Sequence, residues 1–406
     1  MTDGSSSASL TTRSIRVRHR RLVLDLLREN GSLSQADIAR KTGLSRTTIS
    51  TLVSELRSMS VIVEAEPGRA SVSAQGGRPP TMLALDDSVG AALGIDFGHS
   101  HVRVAVANLA HTILSERYAE LDVAGDPESS LDAAALLVQA VLDEAEVERS
   151  RVIGAGMGLP GPIDQARGGV ASTAVLPGWR LVRAAEEMSA RLDLPVELDN
   201  DANLGALAET AWGAAQGCAN VAYIKASAGI GCGLVVDGRL FRGAQGIAGE
   251  LGHTVVNEAG LVCYCGRRGC LETVAGAGAV TELVRRSHGD HLTLAGLVAL
   301  AADGDLSCER ALVDIAREIG IAAANVCILL NPQRLVIGGT LAMGGELVAR
   351  PIREAVDGAA RHLTTPSTEV VLGHLGDRAE VLGALALVIR DTTKHLSLRQ
   401  PVADLS

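Results

Sequence analysis

The sequence predicts a winged helix-turn-helix head joined to a larger α/β body. Three observations carry this. Two short helical stretches flank a turn at Gly43. After about residue 80 the pattern changes to strands alternating with helices. Charge divides at the same place: residues 1–81 hold 12 Arg/Lys against 7 Asp/Glu, a net of +5, and the remainder holds 25 against 40, a net of −15. The 406 residues are ample for two or three domains. With 47% hydrophobic and 21% charged residues, disorder is excluded as the main state. Aromatics at 2% leave little for a base-stacking surface.

Residues 1–13 are small and polar and read as a disordered tail. Ile15, Leu22, Val23, Leu26 and Leu27 recur at helical spacing, and Asn30-Gly31 ends that helix. Ser34 and Asp37 form a capping-box pair ahead of a short helix that Gly43 breaks. Ser45 caps the next helix, with Ile49, Leu52, Val53 and Leu56 inward. Strands over 61–65 and 70–74 form the wing. The stretch 76–90 opens with Gly76-Gly77-Arg78-Pro79-Pro80 and reads as a linker, so the head spans 14–75. The body divides into a first lobe, 91–200, and a second, 201–406, whose C-terminal helix is free to return to the first. Two Gly-rich turns between strands, around Gly98 and around Gly229, hint at a duplicated design with a cleft between lobes.

Arg46, Thr47, Thr48 and Ser50 lie near the start of the second helix, opposite its apolar stripe. In a helix-turn-helix those positions reach base edges in the major groove. Arg69 at the wing tip and Arg78 in the linker are placed for phosphate or minor-groove contact; a solvated charge is the plain alternative for Arg78. The acidic body would be repelled by a polyanion, so DNA meets the head alone. No apolar run spans a membrane, the longest being 319–330, and the N-terminus has no signal-peptide core. These features predict a cytoplasmic protein.

Of seven cysteines, three crowd between 263 and 270. His253, Cys263, Cys265 and Cys270 supply the donors that a tetrahedral structural zinc takes, and Gly266 and Gly269 let the loop wrap it. Cys218, Cys232, Cys308 and Cys327 read as small core residues. Asp199, Asn200, Asp201 and Asn203 stand where a strand ends and a helix begins, a position that opens on the crevice of an α/β fold. A helix cap is the plain alternative for Asp201. A zinc-tied loop would hold Glu250, His253 and Glu272 rigidly against a hydroxyl-rich ligand.

These residues resemble the ROK family of sugar kinases and sugar-responsive repressors, over nearly the whole chain. The resemblance rests on Cys263, Cys265, Gly266, Gly269, Cys270 and Glu272, preceded by Gly249, Glu250, Gly252 and His253. Further matches run over 158–162, 199–203 and 336–340. It implies a two-lobed, actin-like ATPase (ribonuclease H-like) body. It implies that Asn200, Asp201, Glu250, His253 and Glu272 bind sugar hydroxyls, and that Asp201 occupies the general-base position of the kinase members. Asp96, Gly98, Gly229, Gly231, Gly338 and Gly339 fall in the nucleotide-loop positions. His99 stands where the kinases have a second glycine, and Ala228 where they have threonine; both weaken an ATP site.

The expectation is therefore a homodimer, or dimer of dimers, that binds operator DNA and represses transcription. Its effector would be a sugar or sugar phosphate, with structural Zn2+ in the loop. The alternative is a glucokinase-type hexose kinase using ATP and Mg2+ and carrying a DNA-binding head. A constitutive DNA binder is the third reading, and the clustered acids speak against it.

Overall fold

The computed structural model describes residues 4–65, 81–172, 174–361 and 368–392. The first helix runs Gly4–Asn30, so the tail expected over 1–13 is helical from Gly4 onward. Extending a helix that tertiary packing has already nucleated costs little per residue. Helices Gln35–Thr42 and Arg46–Ser58 follow. The Ser34 and Ser45 hydroxyls accept the Asp37 and Thr48 amides, and Gly43 closes the first of these helices at φ 69°. Val23, Leu27, Ile38, Ile49, Leu56 and Leu83 are buried together in the head's core.

The head's sheet corrects the expected domain boundary. Strand Met82–Leu85 lies between Ser32–Ser34 and Ile62–Ala65 and pairs antiparallel with both. It falls within the stretch 76–90 that reads as linker, yet Leu83 and Leu85 alternate inward into the core. The predicted wing strand 70–74, Arg69 and Arg78 lie outside the described residues.

The body contains two five-stranded sheets of the same topology. In the first, Ala91–Phe97, His101–Asn108 and Ile113–Glu120 form an antiparallel meander. Val152–Leu159 pairs parallel with Ala91–Phe97, and Val196–Asn200 pairs parallel with Val152–Leu159. In the second, Val221–Ala226, Ile230–Val236 and Arg239–Leu240 form the meander. Arg334–Gly338 and then Glu369–Leu372 extend it in parallel. The duplication hinted at by the two glycine turns is thus present strand for strand.

Each sheet's last strand leads into a helix that crosses to the other sheet. Helix Asp201–Ala211 packs on Val221–Ala226 and Ile230–Val236; helix Ala379–Arg390 packs on Ala91–Phe97 and Val152–Leu159. The C-terminal helix thus packs against the first sheet. Glycine makes the crossing possible. A Cβ at Gly94 or Gly156 would strike the backbone of Ala379–Arg390, and one at Gly233 the backbone at Ala202. A Cβ at Gly383 would meet the Leu204 carbonyl, where the two helices touch. No helix of the described residues is long and apolar enough to cross a membrane.

Candidate functional site

A cleft of about 670 Å³ opens between the lobes where these two helices begin. Asp96, Gly98, His99 and His101 line it from the first lobe, and Lys225, Gly229, Gly231, Gly339 and Glu380 line it beyond them. Asn200, Asp201, Glu250, His253 and Glu272, the five residues expected to contact a sugar, all reach it.

Their roles separate. The helix cap is Asn200: its Oδ1 accepts the amides of Ala202 and Asn203, and its Nδ2 donates to Gly161 O at 2.9 Å and Asp201 Oδ1 at 2.9 Å. That leaves Asp201 at the first helical position with its carboxylate toward the cleft. Asp201 Oδ1 also accepts the Ala202 amide at 2.8 Å. Beneath it Asp199, 1% exposed, accepts from Arg242 Nε at 2.7 Å and Asn203 Nδ2 at 2.8 Å, which fixes the strand end. Glu272 is enclosed by glycines. Its Oε2 accepts the Ile230 amide at 2.8 Å, and a Cβ at Gly229 or Gly252 would collide with its carboxylate. Burial pushes the Glu250 carboxyl up to about 7, with Asp201 and Glu272 adding to the push. At neutral pH Glu250 is thus poised both to donate and to accept hydrogen bonds, which suits a hydroxyl.

His253 joins the cleft to the cysteine loop. Its Nδ1 lies 3.6 Å from Cys263 Sγ, while its Nε2 points into the cleft, 3.9 Å from Glu250 Oε2. Cys265 and Cys270 sulfurs are 3.6 Å apart, and one donor atom from each of the four residues falls within 4.8 Å of the others. Donors bound at about 2.0–2.3 Å to a tetrahedral ion stand about 3.3–3.8 Å from one another; the two 3.6 Å pairs lie in that range, so the donor set suits such an ion. Gly266 and Gly269 turn at φ 86° and 71°, and a Cβ at Gly269 would strike the Asn257 carbonyl.

Among the nucleotide-loop positions, Asp96, Gly98, Gly229, Gly231 and Gly339 line the cleft, whereas Gly338 packs under the Tyr223 ring. Sequence reasoning missed the centre of this half. Lys225 Nζ lies 2.9 Å from Asp201 Oδ2 and 2.9 Å from Glu380 Oε1. Burial pushes its ammonium down, but Asp201, Glu380 and Asp96 outweigh burial and hold it well above its ordinary value. His101 Nε2 is 3.2 Å from Asp96 Oδ2. A lone charge inside an apolar element was the available signal: Lys225 in the strand Val221–Ala226, Glu380 in the helix Ala379–Arg390.

In the head, Arg46, Thr47 and Ser50 are exposed at the start of helix Arg46–Ser58. Thr48 is half-buried, its hydroxyl 2.8 Å from the capping Ser45 hydroxyl, so it is the least free of the four. Head and body meet at Arg28, buried at the end of the first helix. It pairs with Asp25 and donates to the carbonyls of Leu109 and Ile389, both at 3.1 Å.

The ROK family model matches residues 92–391, and a winged helix-turn-helix DNA-binding model matches residues 18–63. The chain is 30% identical to a xylose repressor of Caldicellulosiruptor bescii over 383 residues, covering 91% of this chain and 95% of that protein. It is 32% identical to a glucokinase of Halalkalibacterium halodurans over 318 residues, covering 73% of this chain and 94% of that one. A crystal structure of a ROK family transcriptional regulator, a homologue of the E. coli MLC protein, superposes with a TM-score of 0.76 over 94% of this chain and 99% of its own. At 24% identity that likeness supports the fold. The chain belongs to the ROK family and carries a winged helix-turn-helix head on a ROK body.

Proposed function

We propose that this protein is a sugar-responsive transcriptional repressor that binds operator DNA as a homodimer. One observation carries the reading: a single helix links the cleft to the head. Ala379–Arg390 begins with Glu380 inside the cleft and ends at Ile389, whose carbonyl accepts Arg28 from the head. Its 12 residues span about 18 Å. A ligand that changes how the lobes close would shift this helix and with it the head's seat, so binding in the cleft biases the placement of Arg46, Thr47 and Ser50. The likeness to a xylose repressor along head and body alike supports the same reading.

Zinc fits the group His253, Cys263, Cys265 and Cys270, as a staple for the loop. Zinc has no redox chemistry of its own and holds geometry. Held by Nδ1, His253 would present Nε2 to the ligand beside Glu250. Two half-sites on DNA call for two heads. The exposed side chains Ile321, Ile328 and Leu329 of helix Leu306–Leu330 offer apolar surface suited to a second copy of the chain.

The test is a gel-shift titration on the promoter region of the protein's own gene, with and without a panel of monosaccharides. The expected result is a sugar-dependent change in operator affinity of about 5–150-fold. Arg46→Ala should cost about 1–3 kcal/mol of binding. Failure of every sugar to alter operator affinity would refute the sensor reading. The kinase reading draws on Asp201 and on the glucokinase likeness; ADP release with a hexose, abolished in Asp201→Asn, would establish it instead.

A further inference from the structure

In the nucleotide half of the cleft the charged groups are already paired with one another. Lys225 places an ammonium between Asp201 and Glu380, at 2.9 Å from each. The strand Val221–Ala226 holds it there, and Glu380, 5% exposed, is fixed at the first turn of its helix. Asp201 is largely committed as an acceptor. Ala202 and Asn200 donate to Oδ1 and Lys225 donates to Oδ2, so three of its roughly four lone-pair positions are in use. The first loop is occupied as well. The His101 imidazole lies against Gly98 so closely that a Cβ there would overlap its ring, and it reaches Asp96. In the second loop the Ile230 amide, a natural phosphate donor, is taken by Glu272.

We propose that Lys225 is a resident cation standing in the place of a metal-bound nucleotide, and that the cleft binds an uncharged sugar by itself, excluding both Mg2+·nucleotide and sugar phosphates. The proposal rests on the sensor reading above and names its ligand class. Divalent magnesium needs carboxylate oxygens or phosphates around it; here Asp201 and Glu380 are committed to an ammonium at contact distance, and Asp96 faces the His101 imidazole at 3.2 Å. For a phosphate the balance is equally poor. Asp96, Asp201, Glu250, Glu272, Asp377 and Glu380 line the cleft; Asp377 pairs with Arg103 at 2.6 Å, but no arginine is among the described lining residues, and the one lysine there is spent on two of the acids. Bringing a dianion among them adds like-charge repulsion in a partly desolvated space. A neutral polyol meets only hydrogen-bonding groups.

The experiment is thermal melting of the full-length protein with four probes: D-xylose, D-glucose, glucose 6-phosphate and Mg2+·AMPPNP. Binding to the folded state raises Tm by mass action. The expected result is a rise with at least one neutral sugar and none with glucose 6-phosphate or Mg2+·AMPPNP. In Lys225→Met the nucleotide should gain affinity by at least about tenfold. A rise in wild-type Tm with Mg2+·AMPPNP or with glucose 6-phosphate overturns the proposal. So does a folded Lys225→Met protein that gains nothing. If Lys225→Met does not fold, the wild-type melts decide alone, since each outcome there supports or overturns the exclusion. A sugar that raises Tm without altering operator affinity would sink the sensor reading and leave this assignment standing.

Discussion

Glu250, His253 and Glu272 reach the cleft from irregular backbone, a short 3-10 turn and a four-residue helix. Asp201, Lys225 and Glu380 reach it from the ends of long regular elements. The two groups also treat charge differently. Lys225 is matched to two carboxylates at 2.9 Å, and their hydrogen bonds lie within the protein. The Glu250 carboxyl is pushed up to about 7 by burial first and then by its neighbours Asp201 and Glu272. On the proposed reading, the contrast separates a half whose charges are matched within the protein from the half left to the ligand. It also assigns the stiffness of each half to a different source. Sheet and helix packing holds the first, and the cysteine loop holds the second.

The strongest test of that division removes the staple. Cys270→Ser, or extraction of metal with a chelator, should free the loop that aims Glu250, His253 and Glu272. Sugar affinity should then fall on the order of 100-fold, the scale at which a misplacement of about 1 Å is felt in a preorganised site. The sheets have separate cores, so circular dichroism should still report a folded body. Elemental analysis of the wild type should find about one zinc per chain, and titration calorimetry with the sugar measures the loss. If the variant kept wild-type sugar affinity, the loop would not be what stiffens this half.

Much of this arrangement was legible in the sequence, and the reasons differ by half. The ligand-facing half announces itself because metal donors and acids are chemically rare and closely spaced: Cys263, Cys265, Cys270 and Glu272 lie within ten positions. The completed half brings together Asp96, Asp201, Lys225 and Glu380, separated by up to 284 positions. Periodicity says nothing about such a meeting; only the crossed helices create it. The same limit hid strand Met82–Leu85, whose four residues follow a proline pair and read as linker until Ile62–Ala65 and Ser32–Ser34 are seen to flank it. Capping residues were readable because Ser34 and Ser45 act within three positions of themselves. At the Asp199–Asp201 corner, sequence could not decide between cap and ligand. Asn200 takes the cap there and Asp201 turns its carboxylate to Lys225 in the cleft, and only side-chain direction distinguishes the two.

A subtler way to break the comparison acts at the far end of the completed half. Arg28→Ala removes the donors that the Leu109 and Ile389 carbonyls accept, while leaving every cleft residue in place. Sugar affinity measured without DNA should stay near wild type. The sugar-dependent change in operator affinity should shrink from about 1–3 kcal/mol toward zero. Arg28→Lys should recover little, because one ammonium on a flexible stem cannot reproduce the guanidinium fork across two carbonyls and Asp25. Gel-shift titrations with and without sugar give both numbers. If Arg28→Ala kept full sugar control of DNA binding, the helix Ala379–Arg390 would not be the connecting element.

The smallest expected effect is a pH dependence of the same joint. His111 stands two residues from Leu109, packs tilted against Trp212 with ring centroids 4.5 Å apart, and takes φ 71°. Burial, helped by the charge of Arg28, pushes its imidazole down to about 3 from an ordinary value of 6.5. Below pH 6.5 the unfolded chain therefore binds a proton that the folded chain refuses until about pH 3. Stability is full above 6.5 and is lost progressively as pH falls through that window. Other groups titrate there too, so the measurement is a difference: urea unfolding of wild type and His111→Asn across pH 4–7 (a range inside that window's reach). Asparagine tolerates the left-handed φ and carries no proton in this range. The gap between the two stabilities should narrow or reverse in favour of the variant as pH drops. A constant gap would mean that the imidazole is protonated in the folded joint, beside Arg28, and that the joint tolerates two cations where one is inferred.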